Sequence, residues 1–182
     1  MDSPWQQIRQ AVDREFSDIG DIEQATSLVV RLTVAAFLGG LLGIEREQKG
    51  KAAGVRTHMM VAMGSALFLV VSQQAGIVAS DMSRVIQGLL AGIGFLGAGA
   101  ILKGQDEEKV KGLTTAAGIW MTAAIGMAAG LGLEVTAVIS TLLALAIFSL
   151  MPWLINWMDK PVKKVAASKN SDAMGTSDDK PV

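Results

Sequence analysis

The residue types able to do chemistry crowd into residues 45–58, which read Glu45-Arg46-Glu47-Gln48-Lys49-Gly50-Lys51-Ala52-Ala53-Gly54-Val55-Arg56-Thr57-His58. Glu45 closes one long apolar stretch and Arg56 opens the next, so an ion pair between them would fix a hairpin. The same groups suit an anion or an anionic lipid head group. Lys49 and Lys51 need no site to explain them, because a cytoplasmic membrane loop carries such charge anyway. The order from Gly54 to His58 is more particular than topology requires. Glu45, Arg46, Arg56, Thr57 and His58 are therefore candidates for a polar site. Thr114 and Thr115, in Lys111-Gly112-Leu113-Thr114-Thr115, join them if the chain is internally duplicated, and with Arg56 and Glu45 they would line a shared vestibule. Otherwise they are threonines that bond their own helix backbone.

Much chemistry is excluded. There are no cysteines and one histidine, so a disulfide framework, a thiolate zinc site, a cysteine nucleophile and a two-histidine metal site are all out of reach. His58 alone is poor material for an intramembrane enzyme, and a non-enzymatic protein without catalytic residues, metal site or cofactor is expected. Nucleic acid is not an expected partner. Glu45, Asp81 and Glu134 all stand at the ends of apolar stretches. Magnesium prefers carboxylate oxygens and releases its water reluctantly, so the lack of an acid deep in a span weighs against direct magnesium transport. A path lined by backbone carbonyls at a broken helix stays open.

Glycine makes the second pattern. Gly88, Gly92, Gly94, Gly97 and Gly99 recur through one apolar stretch. Inside a membrane, small residues let neighbouring backbones approach closely, so this is a packing surface. The alternative is a helix that breaks there to line a polar cavity. The glycines follow no strand, which excludes a nucleotide loop.

These residues must be held by membrane helices. Of 182 residues, 51% are hydrophobic, and the mean hydropathy is +0.41. Five apolar stretches of near-spanning length cover about 27–44, 57–78, 85–102, 113–131 and 135–157, since a helix needs roughly 20 residues to cross the hydrocarbon. Arg31 is the one charge in the first stretch and lies close enough to its end to snorkel. Trp153 and Trp157 would anchor the last. An all-α membrane protein is expected, with a transmembrane domain over 25–158. Residues 1–24 carry an amphipathic helix over 3–19, capped by Ser3, with Trp5, Ile8, Val12, Phe16 and Ile19 on one face. That face would lie on the membrane surface or pack on the protein's own helices. The acidic start is not a signal peptide. Residues 159–182 are polar and read as a disordered tail. Lys and Arg alternate between rich and poor connecting segments, which puts the N-terminus outside and the C-terminus in the cytoplasm. A spacing of 58 residues relates Phe37-Leu38-Gly39 to Phe95-Leu96-Gly97, Gly54-Val55 to Gly112-Leu113, and Thr57 to Thr115. The hypothesis is a duplicated hairpin, spans one and two repeated as three and four; the alternative is chance similarity in Gly/Ala-rich helices.

Three ordered motifs carry a resemblance. Gly39-Gly40-Leu41-Leu42-Gly43-Ile44-Glu45-Arg46-Glu47 leading to Gly54-Val55-Arg56-Thr57-His58, then Gly92-Ile93-Gly94-Phe95-Leu96-Gly97-Ala98-Gly99, then Val110-Lys111-Gly112-Leu113-Thr114-Thr115-Ala116-Ala117, resemble the signatures of the bacterial MgtC/SapB family. The resemblance covers about residues 27–133 and implies an inner-membrane protein linked to low-magnesium or stress adaptation. Long members carry a C-terminal ACT-type domain, which this short chain is expected to lack. Two functions follow. One is a regulatory or interaction protein, as a homodimer or other homo-oligomer or against another inner-membrane complex. The other is an ion transporter or channel, with magnesium as the candidate ion.

Overall fold

The computed structural model describes residues 3–15, 17, 20–103, 110–151 and 153. Its helices, among the described residues, are α1 (Pro4–Glu15), α2 (Ile22–Gln48), α3 (Val55–Gln74), α4 (Ala79–Gly99), α5 (Leu113–Gly130) and α6 (Glu134–Met151). Helices α2 to α6 are each long and apolar enough to cross a membrane, as the five apolar stretches require. One small departure from the all-α expectation lies between α4 and α5. There β1 (Leu102–Lys103) pairs antiparallel with β2 (Val110–Lys111), Leu102 opposite Lys111. Residues 1–141 form one compact unit, and the remainder of α6 beyond it is described by itself. The polar tail and the anchor Trp157 lie outside the described residues.

Polar residues at the membrane edge set the helix ends. The Asp21 side chain accepts a hydrogen bond from the Gln24 backbone at 2.8 Å, so α2 starts before its apolar stretch does. Ser80 and Asp81 suit a first helical turn, and α4 therefore begins several residues earlier than the hydropathy alone suggests. In α1, Ser3 and Gln6 cap each other reciprocally. No residue of α1 is buried, and Trp5 is 79% exposed. Among the described residues, nothing covers its apolar face. Phe16 and Ile19 lie outside the described residues.

Helix α3 is the middle of the compact unit, and glycines bring both neighbours onto it. A Cβ on Gly39 would stand 2.6 Å from the His58 carbonyl oxygen and 2.8 Å from Ala62 Cβ. One on Gly43 would stand 2.5 Å from Val55 Cα. On the α5 side, a Cβ on Gly130 would stand 2.6 Å from the Ala66 carbonyl oxygen, and one on Gly126 would run into the carbonyl of Ala62. Two glycine pairs, each spaced by three residues, thus clamp α3 between backbones. Four hydroxyls inside the spans are satisfied locally. Ser65, Ser72, Thr122 and Thr141 each donate to the carbonyl four residues back, at 2.7–2.9 Å.

Helix α4 is held differently. Met82, Val85 and Leu89 meet Leu69 and Met127, while Ile93 meets Ala53, Ile119 and Ala123. Of its five glycines, Gly97 alone touches another element, with a Cβ there 3.6 Å from Ala116 Cβ. Gly88, Gly92, Gly94 and Gly99 face open space. The helix is continuous from Ala79 to Gly99, so the broken-helix alternative does not form. The glycines that pack inside the chain are those of α2 and α5.

The turn from α5 to α6 is a glycine cap. Gly132 adopts φ +79, and the Leu133 N–H donates to the Ala128 carbonyl at 2.9 Å.

Enlarging the two glycine classes should have opposite consequences. Gly126→Ala should lower stability by about 1–3 kcal/mol, because a backbone must move. Gly94→Ala should be neutral or raise it by roughly 0.5–1 kcal/mol, because glycine weakens a helix interior. Reversible unfolding in mixed micelles measures both.

Candidate functional site

The last turn of α2 builds the first polar cluster. Arg46 is 3% exposed, and its Nε donates to Glu45 Oε2. Lys49 Nζ lies 2.6 Å from Glu45 Oε1. The carboxylate is thus clamped between two cations on its own helix. The loop that follows is closed by the Lys51 N–H, which donates to the Arg46 carbonyl at 3.0 Å.

The start of α3 is fixed from the same turn. Its N-cap residue is Gly54, which has no side chain to offer. The Glu47 carboxylate supplies the cap instead, with Oε2 accepting from the Val55 N–H at 2.9 Å. His58 is 0% exposed, and its Nδ1 lies 2.9 Å from the Gly54 carbonyl oxygen. A carbonyl only accepts, so Nδ1 carries the proton and donates. Nε2 is buried with no hydrogen-bond partner among the described residues.

The expected ion pair between Glu45 and Arg56 is replaced. Arg46 is adjacent to Glu45 and Lys49 is one turn on, so both reach the carboxylate without crossing the loop. Arg56 and Thr57 are exposed at the start of α3, and Thr114 is exposed on α5. Thr115 is 3% exposed. It lines a cleft with Lys51 and Lys111 that excludes Glu45, Arg56 and Thr57. The expected single vestibule is therefore two separate places. Glu45, Arg46 and His58 sit together, while Thr115 belongs to the cleft beside α5. Among the described residues, no group of three or more His, Asp or Glu is placed to hold a metal ion.

A second polar node lies at the opposite end of α2. Arg31 Nη1 donates to Gln73 Oε1 at 2.8 Å and to the Gly130 carbonyl at 3.1 Å. Its guanidinium also covers Gly132, where a Cβ would stand 2.8 Å from Nη2. Arg31 therefore ties α2 to the ends of α3 and α5, beyond the snorkelling role expected of it. It borders an open cleft of about 570 Å³ with Asp21, Glu23, Gln24, Gln73 and Gln74. The sequence held one signal for this: the Gln73-Gln74 pair ends the second span on the side where Arg31 begins the first.

Comparison with known proteins follows the same residues. A family model described as "MgtC family" matches residues 32–157. The chain is 44% identical over 130 residues to "Putative magnesium transporter YhiD" of Escherichia coli K12, covering 66% of this chain and 60% of that protein. It is 44% identical over 133 residues to "Protein SrpB" of Synechococcus elongatus, covering 67% of this chain and 73% of that one. It is 41% identical over 130 residues to "Protein MgtC" of Brucella suis, covering 70% of this chain and 52% of that one. The match thus spans less than two thirds of the YhiD protein and about half of the Brucella protein. No solved structure matches the chain.

The geometry separates residues by their effect on stability. Glu45→Ala strips a carboxylate from the buried Arg46 and should destabilise the protein by about 3 kcal/mol. Glu47→Ala removes the α3 cap and should cost about 1 kcal/mol. Arg56→Gln, at an exposed position, should stay within about 0.5 kcal/mol of the parent. Unfolding midpoints of the three purified variants give the ranking.

Proposed function

The chain belongs to the MgtC family, and on that premise we propose that it is a non-enzymatic protein of the bacterial inner membrane that acts by contact with other membrane proteins, in adaptation to low magnesium or related stress. Five apolar helices and the family match make it a multi-pass membrane protein. The alternation of Lys and Arg along the connecting segments supports a cytoplasmic place for the residue 49–54 loop and the α4–α5 connection.

One observation carries the interaction reading. The glycines of α2 and α5 are consumed by contacts with α3, whereas Gly88, Gly92, Gly94 and Gly99 of α4 meet nothing. Glycine weakens a helix wherever no close approach repays it. Gly88 and Gly92 instead floor a mainly apolar groove of about 480 Å³, bordered by Phe68, Leu89, Ile93 and Leu96, with Arg84 at one end. A groove of that lining inside a bilayer suits a second transmembrane helix, which packs by shape because lipid offers no hydrophobic drive. The first occupant is α4 of another copy, giving a homodimer; a helix of another inner-membrane complex is the alternative.

A second reading, ion transport, is favoured by the name of the Escherichia coli relative, "Putative magnesium transporter YhiD". Magnesium passage would need donors along a path through the spans.

The chain has no cysteine, so Gly92→Cys introduces a unique probe. In native membranes it should form a disulfide-linked dimer or a crosslink to one partner. Gly92→Leu should abolish association at unchanged monomer stability. Liposomes holding the purified protein should pass no magnesium. Absence of any crosslink together with magnesium flux would establish transport instead.

A further inference from the structure

We propose that the N-terminus of α5 is a binding site for a phosphate group, built from Lys51, Lys111, Thr115 and the first backbone N–H groups of the helix. The cleft there is about 410 Å³ and is lined by Lys51, Ala52, Ala100, Lys111, Gly112 and Thr115, together with Gly50. It joins the loop before α3 to the connection before α5, two segments far apart in sequence.

Three features of the cleft point to an anion. First, α5 is 18 residues long and its N-cap, Gly112, provides no side-chain cap. The first N–H groups of a helix have no partner within it, and they carry the positive end of its dipole. A side chain could not be added at this cap: Gly112 has φ +95, and a Cβ would collide with the Ala100 carbonyl.

Secondly, Thr115 breaks a pattern. Five hydroxyl side chains are buried in the described helices: Ser65, Ser72, Thr115, Thr122 and Thr141. Four of them donate to the carbonyl four residues back. Thr115 does not, because the residue four back is Lys111, which lies in β2 rather than in the helix. The residue is 3% exposed and borders the cleft, and its hydroxyl has no hydrogen-bond partner among the described residues. A helical side chain leans toward the N-terminus of its helix, and for Thr115 that is the direction of the cleft.

Thirdly, the chain contains its own control. Gly54 and Gly112 are 58 residues apart and both are N-cap glycines of a spanning helix. At Gly54 the helix end is filled by an oxyanion, the Glu47 carboxylate, on the Val55 N–H. At Gly112 no side chain of the described residues fills the corresponding place, and two lysines and a hydroxyl border it instead. The two caps differ in backbone, Gly54 being extended and Gly112 left-handed, but each opens a spanning helix without a side chain of its own, and only the α3 end is filled from within. Two cations and a hydroxyl beside a helix N-terminus match a phosphate better than a carboxylate, since its oxygens accept from several directions. Inorganic phosphate and the phosphodiester of an anionic lipid share that chemistry.

Two arms distinguish the sources. In neutral detergent, inorganic phosphate is titrated by calorimetry. In nanodiscs of phosphatidylcholine with or without phosphatidylglycerol, retained lipid is counted by native mass spectrometry. Lys51→Gln and Lys111→Gln, both at exposed positions, should each weaken binding about tenfold, and Thr115→Val about fivefold. Arg84→Gln, at the far end of α4, should have no effect. Saturable uptake of inorganic phosphate assigns a soluble ligand; retention of phosphatidylglycerol alone assigns a head group. Either result with the stated variant pattern upholds the site. Binding of neither, or equal loss in Arg84→Gln, overturns it.

Discussion

The contact on which the structure depends is backbone against backbone along α3. Lipid is as apolar as leucine, so burying leucine between membrane helices gains little. Dispersion does, and it falls steeply with distance. Gly39 and Gly43 bring α2 onto one side of α3, and Gly126 and Gly130 bring α5 onto another. Ala62 lies under glycines from both directions. The polar chemistry is placed by this contact. The His58 carbonyl is itself part of the surface that Gly39 meets, and the imidazole is fixed through Gly54, whose neighbour Val55 meets Gly43.

Polar groups then pin the ends of the clamped helices. At one end Glu47 reaches across the loop to the first N–H of α3, and Arg46 is neutralised beside it by Glu45. At the other, Arg31 takes one side-chain and one backbone acceptor from two different helices. Each arrangement satisfies groups that lipid cannot solvate, and each fixes how far α2 can slide along its neighbours. The α2–α3–α5 unit is thus set laterally by small residues and longitudinally by hydrogen bonds.

What the sequence discloses follows from what lipid enforces. Spanning length and lack of charge are local, so all five membrane helices are legible, as are the motifs of the family. Capping moves the boundaries, because Asp21 and Ser80-Asp81 extend helices beyond the apolar stretches. Partner choice is not local. Glu45 has Arg46, Lys49 and Arg56 within reach on paper, and only the direction of the α2 side chains selects the first two. The glycine repeat of α4 looks like the packing seam because it is the densest, yet the pairs of α2 and α5 do that work with fewer residues. Thr115 is legible as a candidate, whereas its neighbours Lys51 and Lys111 read as ordinary loop charge. Their meeting depends on two antiparallel hairpins ending at the same level.

Helix α4 stands apart from this scheme in the nature of its attachments. Its larger neighbours are the flexible side chains of Leu69, Met127 and Leu131, beside the small Ala53, Ala123 and Ala124, and its closest glycine contact is an ordinary 3.6 Å approach. Interlocked backbones resist shear; interleaved flexible side chains yield to it. A piston-like displacement of α4 would therefore leave the clamped α2, α3 and α5 intact, and it would carry with it Ala100, whose carbonyl lies against Gly112 at the start of α5.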